Sequence, residues 1–171
     1  DGIVMYAGSF SKVISPGMRV GWCVAPNPVI QKMVVCKQGQ DVHTNMWSQI
    51  VIHEYVTKYD FEEHLNYLRE LYRKKARFMM DLLDEHLAPY ITYDKIDGGL
   101  FIMCKLPDNI NMLDFCKEAV KRKVCVVPGN AFLTDETEEC HTFRVNFSTP
   151  TDQQLEKGVK ILGELIKELC Q

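Results

Sequence analysis

From residue 61 to residue 87 the side chains of Leu65, Leu68, Leu71, Tyr72, Met79, Leu82, Leu83 and His86 recur at helical spacing. That period marks one face of a long helix. Glu62, Glu63, Arg69, Glu70, Arg73, Lys74 and Arg77 fall on the opposite face. Mixed charges of this kind form a solvated surface and call for no basic groove. Pro89 ends the run. A helix this long divides the chain at about residue 60 and bridges two differently patterned parts.

The part before it reads as strands at IVMYA (3–7) and RVGWCVA (19–25), with Pro26 and Pro28 stopping the second. Asn27 is placed to cap a helix with Pro28 at its first position, running to Gly39. QDVHTN follows as a polar linker, and Asn45 caps a second helix, MWSQIVIHEYVT. The part after residue 90 alternates. ITYD and GLFIMCKL read as strands and LDFCKEAVKRK as a helix behind Asn111. VCVVP and TFRVNFS read as strands, and residues 151–170 as a closing helix capped by Thr151. Leu155, Val159, Leu162, Leu165, Ile166 and Leu169 make that helix's apolar face. The order β-β-α-β-β-α predicts a compact α/β layer.

Composition narrows the function classes. A formal charge of −3 lacks the basic surplus that nucleic-acid binding needs. No apolar run reaches the length of a membrane span, and the N-terminal DGIVMYAGSF lacks the basic start and apolar core of a signal peptide. The chain opens on Asp1 in a stretch that reads as a strand already under way, which predicts a fragment lacking a longer N-terminal part. Its 7 cysteines form no CxxC pair. They predict buried thiols in a reducing, cytoplasmic compartment and no metal site.

The chemistry concentrates in GSFSKVISPGMRVGW, residues 8–22. Ser9 and Ser11 offer hydroxyls, while Gly8 and Gly17 let the backbone approach a ligand closely. Arg19 offers a planar fork that matches phosphate oxygens. Lys12 lies in the same turn. A lysine beside a phosphate site can form a Schiff base with an aldehyde carried on that phosphate. Pyridoxal phosphate has both groups. A second candidate is Arg144, in the otherwise apolar TFRVNFS. It reads either as an edge-strand arginine paired with Glu138 or Glu139, or as a bidentate clamp for a substrate carboxylate.

The run resembles the cofactor-lysine motif of class I/II aminotransferases, the fold-type I pyridoxal-phosphate enzymes. That motif is serine, any residue, serine, lysine, then a proline-glycine turn, arginine, any residue, glycine. Every position matches. The resemblance implies the C-terminal part of a fold-type I α/β transferase. Residues 1–60 would be the end of the cofactor-binding large domain, 61–89 the bridging helix and 90–171 the small domain. It implies that Lys12 carries the cofactor, that Ser9, Ser11 and Arg19 hold its phosphate, and that Arg144 binds the substrate α-carboxylate. DGGLFIM (97–103) and VVPGNAF (126–132) resemble the small domain's glycine-rich strand and proline-glycine loop, where Gly98, Gly99 and Phe132 either approach substrate or serve as turn and core. DVHTN (41–45) lies where the family often sends a loop toward a neighbouring subunit, with His43 in it.

The activity implied is amino-group transfer between an L-amino acid and a 2-oxo acid, in a branch that includes 2-aminoadipate, kynurenine and aromatic aminotransferases, by a homodimer. Two alternatives go with it. One is another fold-type I reaction, such as a β-lyase or decarboxylase, told apart by its products. The other is the aminotransferase-like sensor domain of a bacterial transcription regulator, told apart by a basic winged-helix segment upstream.

Overall fold

The computed structural model describes residues 2–170. Among the described residues, six strands and five α-helices follow in the order β1 (Tyr6–Ser9), β2 (Gly21–Val24), α1 (Asn27–Gln40), α2 (Met46–Lys58), α3 (Phe61–His86), β3 (Thr92–Tyr93), β4 (Phe101–Lys105), α4 (Met112–Lys121), β5 (Val127–Pro128), β6 (Thr142–Asn146) and α5 (Asp152–Leu169). The expected α/β class is the one found. The chain forms two compact units, one up to Leu68 and one from Arg69, and α3 runs through the boundary.

In the second unit the strands form one antiparallel sheet in the order β3-β4-β6-β5. One face of it carries Ile102, Cys104, Phe143 and Val145 into a single core with α3, α4 and α5. The periodicities explain this. Alternate residues of β4 and β6 are buried, and Met79, Leu82 and Leu83 of α3 and Leu155, Val159, Leu162, Leu165 and Ile166 of α5 recur at helical spacing. The Phe115 and Phe143 rings meet at 5.0 Å. Tyr93 ties β3 to α3, its hydroxyl 2.5 Å from Asp84 Oδ1. Thr151 caps α5 as expected, in a reciprocal capping box with Gln154, and Asn111 caps α4, its Oδ1 accepting from Asp114 N–H at 3.0 Å.

The first unit is built differently. Its sheet has two strands, β1 antiparallel to β2. Ile52 is its one buried apolar side chain among the described residues, while Tyr6, Val24 and Trp47 stand 63%, 62% and 72% exposed. Asn45 caps α2 as expected, accepting from Ser48 N–H at 2.9 Å.

Several expected details change. The first strand is Tyr6–Ser9, shifted from 3–7 because its partners are Val24 to Gly21. Asn27 is the first residue of α1 and makes no side-chain cap, since Pro26 takes the N-cap position. VCVVP shortens to Val127–Pro128, the length that β6 can pair with. The cysteines divide as well. Cys104 and Cys116 are buried, but Cys36, Cys125 and Cys170 are exposed. Cys125 alternates outward between Val124 and the buried Val126.

Burial pushes the Cys104 thiol up to about 12. Burial, helped by nearby Cys125, pushes the Cys116 thiol up to about 11. Both stay protonated at pH 8, and a protonated thiol is a poor nucleophile. A thiol reagent at pH 8 is expected to label Cys36, Cys125 and Cys170 in the folded chain, and Cys104 and Cys116 only after denaturation. Mass mapping of the labelled peptides checks this.

Candidate functional site

The connection between β1 and β2 carries Ser11, Lys12 and Arg19, and Ser9 is the last residue of β1. Gly8 sits opposite Trp22 and Ser9 opposite Gly21. A Cβ on Gly8 would stand 2.3 Å from the Trp22 ring, which Tyr6 meets edge-on at 5.0 Å. A larger residue there would have to displace the ring. Beyond β1, Phe10 N–H donates to Val20 O at 3.1 Å and closes the base of the loop. Ile14 N–H and Ser15 N–H both donate to Phe10 O, at 2.9 and 3.2 Å. They wind residues 10–14 into one turn that presents Lys12 outward. Lys12 is exposed, and its amine has no hydrogen-bond or ion-pair partner among the described residues.

Ser9 and Ser11 are brought together. Ser9 Oγ donates to Ser11 Oγ at 2.9 Å and accepts from Ser11 N–H at 3.1 Å. After a single 3-10 turn at Pro16–Met18, Arg19 adopts a left-handed backbone with φ 53. Such a conformation costs a non-glycine residue on the order of 1–2 kcal/mol, so the surrounding turn must hold it. Arg19 Nη1 donates to Pro16 O at 3.2 Å, and its other donors have no partner among the described residues.

His64, which the sequence did not single out, braces this loop. A carbonyl can only accept, so His64 Nε2 is the donor in its 2.8 Å contact with Val13 O, next to Lys12. The imidazole is itself packed by Tyr55, edge-on at 5.7 Å, and Phe61, stacked at 6.3 Å. The partners lie 51 residues apart, and no local pattern announces such a contact.

Arg144 lies in the second unit, on β6, opposite Met103 and Val127. β6 is an inner strand of the sheet, so the edge-strand alternative does not hold. Nor does Arg144 pair with Glu138 or Glu139; Glu139 lies 3.2 Å from His141 Nε2 instead. Phe143 and Val145 point into the core, which turns Arg144 to the other face. There its Cζ stands 3.9 Å from the Phe101 ring centroid and 4.5 Å from that of Phe132. Its Nε is buried without a hydrogen-bond partner among the described residues. Of the weaker candidates, Gly99 has φ +84, Gly98 is exposed, and His43 is exposed with Nδ1 3.0 Å from Thr44 O.

Two hydroxyls, a guanidinium with uncommitted donors and an unpaired primary amine thus share one loop. This set fits a ligand bearing both a phosphate and an electrophilic carbonyl. A stacked guanidinium with a vacant donor edge fits a planar carboxylate.

The family model for aminotransferase class I and II matches residues 1–162. The chain belongs to that family. It is similar to the 2-aminoadipate transaminase of Thermus thermophilus, 37% identical over 166 residues that cover 97% of this chain and 41% of the relative. Its structure is similar to that of the Pyrococcus horikoshii kynurenine aminotransferase, solved with PMP, with a TM-score of 0.93 at 35% identity over 100% of this chain and 42% of that one. It is also similar to the α-aminoadipate aminotransferase of Thermus thermophilus, solved with N-(5'-phosphopyridoxyl)-L-leucine, with a TM-score of 0.90 at 36% identity, covering 98% of this chain and 42% of that one. The chain spans about two fifths of the length of these relatives.

The His64 brace is expected to hold the Lys12 turn. His64→Ala should cost about 1 kcal/mol and speed amide exchange at Ile14 and Ser15, whereas His64→Gln, which keeps a donor, should do less of both. Exchange rates that stay the same in His64→Ala would show that the brace is idle.

Proposed function

We propose that the full-length protein carrying this chain is a pyridoxal-phosphate-dependent aminotransferase, moving an amino group between an L-amino acid and a 2-oxo acid. The observation that carries this reading is the β1–β2 loop. There the unpaired Lys12 amine shares a braced turn with Ser9, Ser11 and Arg19, in a chain of the aminotransferase class I and II family. Ser9, Ser11 and Arg19 would hold the cofactor's phosphate, and Lys12 would hold the cofactor covalently. When bound, the cofactor supplies an electrophilic carbonyl and a conjugated ring that accepts electrons.

The protein's own residues then select the substrate and move the proton. Arg144 receives the α-carboxylate on its unpaired donor edge. Lys12 Nζ, once free of the cofactor, would take the proton from the substrate Cα as general base. The family's relatives named for 2-aminoadipate and kynurenine support an amino acid of that broad class.

The domain assignment that goes with this reading is 1–60 as the end of the cofactor-binding domain, 61–89 as the bridging helix and 90–171 as the small domain. A homodimer goes with it, as does a cytoplasmic location. Among the described residues no helix is long and apolar enough to cross a membrane, and a charge of −3 supports the reading that this segment itself contacts no nucleic acid.

Borohydride reduction of the loaded full-length protein should place the pyridoxyl label on Lys12 when the peptides are mapped. Lys12→Ala should lower transamination by at least about 10²-fold while the protein stays folded. Label scattered over other lysines, or turnover retained in the variant, would refute the assignment. Release of pyruvate and ammonia in place of a 2-oxo acid with transferred nitrogen would replace transamination by elimination. Arg144→Ala should raise KM for the amino acid about 10- to 100-fold, the scale of hydrogen bonds to a charged group. Unchanged KM and kcat/KM would remove the clamp.

A further inference from the structure

Arg144 meets its surroundings in an unusual way: its guanidinium carbon lies over two aromatic rings, and its Nε is buried without an acceptor among the described residues. Cζ lies 3.9 Å from the Phe101 centroid and 4.5 Å from the Phe132 centroid, and the buried Nε has no partner among the described residues. Both distances are within the reach of cation–π attraction, and guanidinium, planar and weakly hydrated, is the cation that stacks best.

Each ring is delivered by a separate constraint. On β4, Ile102 and Cys104 turn into the core, so Phe101 and Met103 turn to the other face. Met103 is opposite Arg144 and Phe101 opposite Asn146, which makes Phe101 the diagonal neighbour of Arg144 on that face. Phe132 ends a 3-10 turn that begins at Gly129. A Cβ on Gly129 would come within 2.0 Å of Thr142 Oγ1 and 2.5 Å of Thr142 O. Only glycine lets this turn sit so tightly on β6. Leu133 N–H to Asn130 O at 3.1 Å and Asn130 Nδ2 to Glu136 O at 3.2 Å hold its far side. Phe132 remains 47% exposed, so its ring is not placed by burial in the core.

We propose that Phe101 and Phe132 are positioning residues that act through Arg144. They fix the plane of the guanidinium and strip it of water before a substrate arrives, so that its fork meets a carboxylate already aligned. This rests on the reading of Arg144 as the carboxylate clamp. A pre-ordered side chain avoids the entropy cost of being immobilised on binding, and a drier site strengthens the ion pair. The pair of rings thereby makes the site selective for amines that carry an α-carboxylate over those that lack it.

The test uses the full-length enzyme and two amines: L-2-aminoadipate and 5-aminopentanoate, which is the same molecule without its α-carboxylate. Phe101→Leu and Phe132→Leu should each raise KM for L-2-aminoadipate roughly 3- to 30-fold, the range of a cation–π contact, with kcat within about twofold. The kcat/KM for 5-aminopentanoate should not change, and Phe101→Tyr and Phe132→Tyr should behave as the parent.

A second readout needs no turnover. In protein labelled with 15N-arginine, the Arg144 Nε–H resonance should be shifted upfield by the two rings, remain so in the tyrosine variants and lose the shift in the leucine variants. Equal losses for both amines, or no loss for either, would overturn the proposal. Arg144→Gln, measured alongside, separates the two levels. If it treats both amines as the parent does, the clamp and the rings fall together. If it discriminates while the leucine variants do not, the rings alone fall.

Discussion

The pairing of β4 with β6 is the constraint on which the second unit depends. Ile102 faces Val145 and Cys104 faces Phe143 across it, and these four side chains form the floor of the core that α3, α4 and α5 cover. A slip of one residue would reverse every side chain of a strand. It would push the Arg144 charge into a core that, among the described residues, holds no buried polar or charged side chain, and bring Phe143 and Val145 into water. The cost of burying an unpaired guanidinium is so large that the register has no near competitor. The same alternation that makes the core therefore aims Arg144, Phe101 and Met103 at the opposite face.

The two units meet the same physical requirements unequally. The second buries a continuous set of aliphatic and aromatic side chains from three helices and a sheet. The first, within itself, buries Ile52 and leaves Val4, Val24, Val35 and Trp47 open to solvent. Two strands alone are marginal in water. The order of its loop comes less from burial than from local bonds: the Ser9–Ser11 contacts, the Phe10–Val20 closure and the His64 brace.

Cations are handled in contrasting ways. Lys12 and Arg19 stand exposed on a loop; among the described residues the first has no partner and the second a single bond to Pro16 O. Both keep donors available for a ligand that brings several acceptors. Arg144 is packed against the Phe101 and Phe132 rings, which leave less of its guanidinium open. An exposed cation suits an ion whose charge must be neutralised from several sides. One packed against rings suits a planar group that must be held in one orientation.

Much of this was legible in the sequence. The helical periods of α3 and α5, the caps at Asn45 and Thr151, and the serine, lysine and arginine spacing of residues 9–19 are all local patterns, and short-range sterics and hydrogen bonding dictate what they form. What the sequence could not show depends on contacts between residues far apart. That His64 would reach Val13 follows from the packing of α3 on the loop, and that Phe101 and Phe132 would both meet Arg144 on an inner strand follows from pairing register and from the close seating of Gly129 on Thr142. The exposed thiols of Cys36 and Cys125 were missed for the same reason: an apolar neighbourhood in sequence does not say which face of a strand or helix will find a partner. Local chemistry determined which residues this protein offers, and long-range packing, because only it brings distant side chains together and removes their water, decided how they are held.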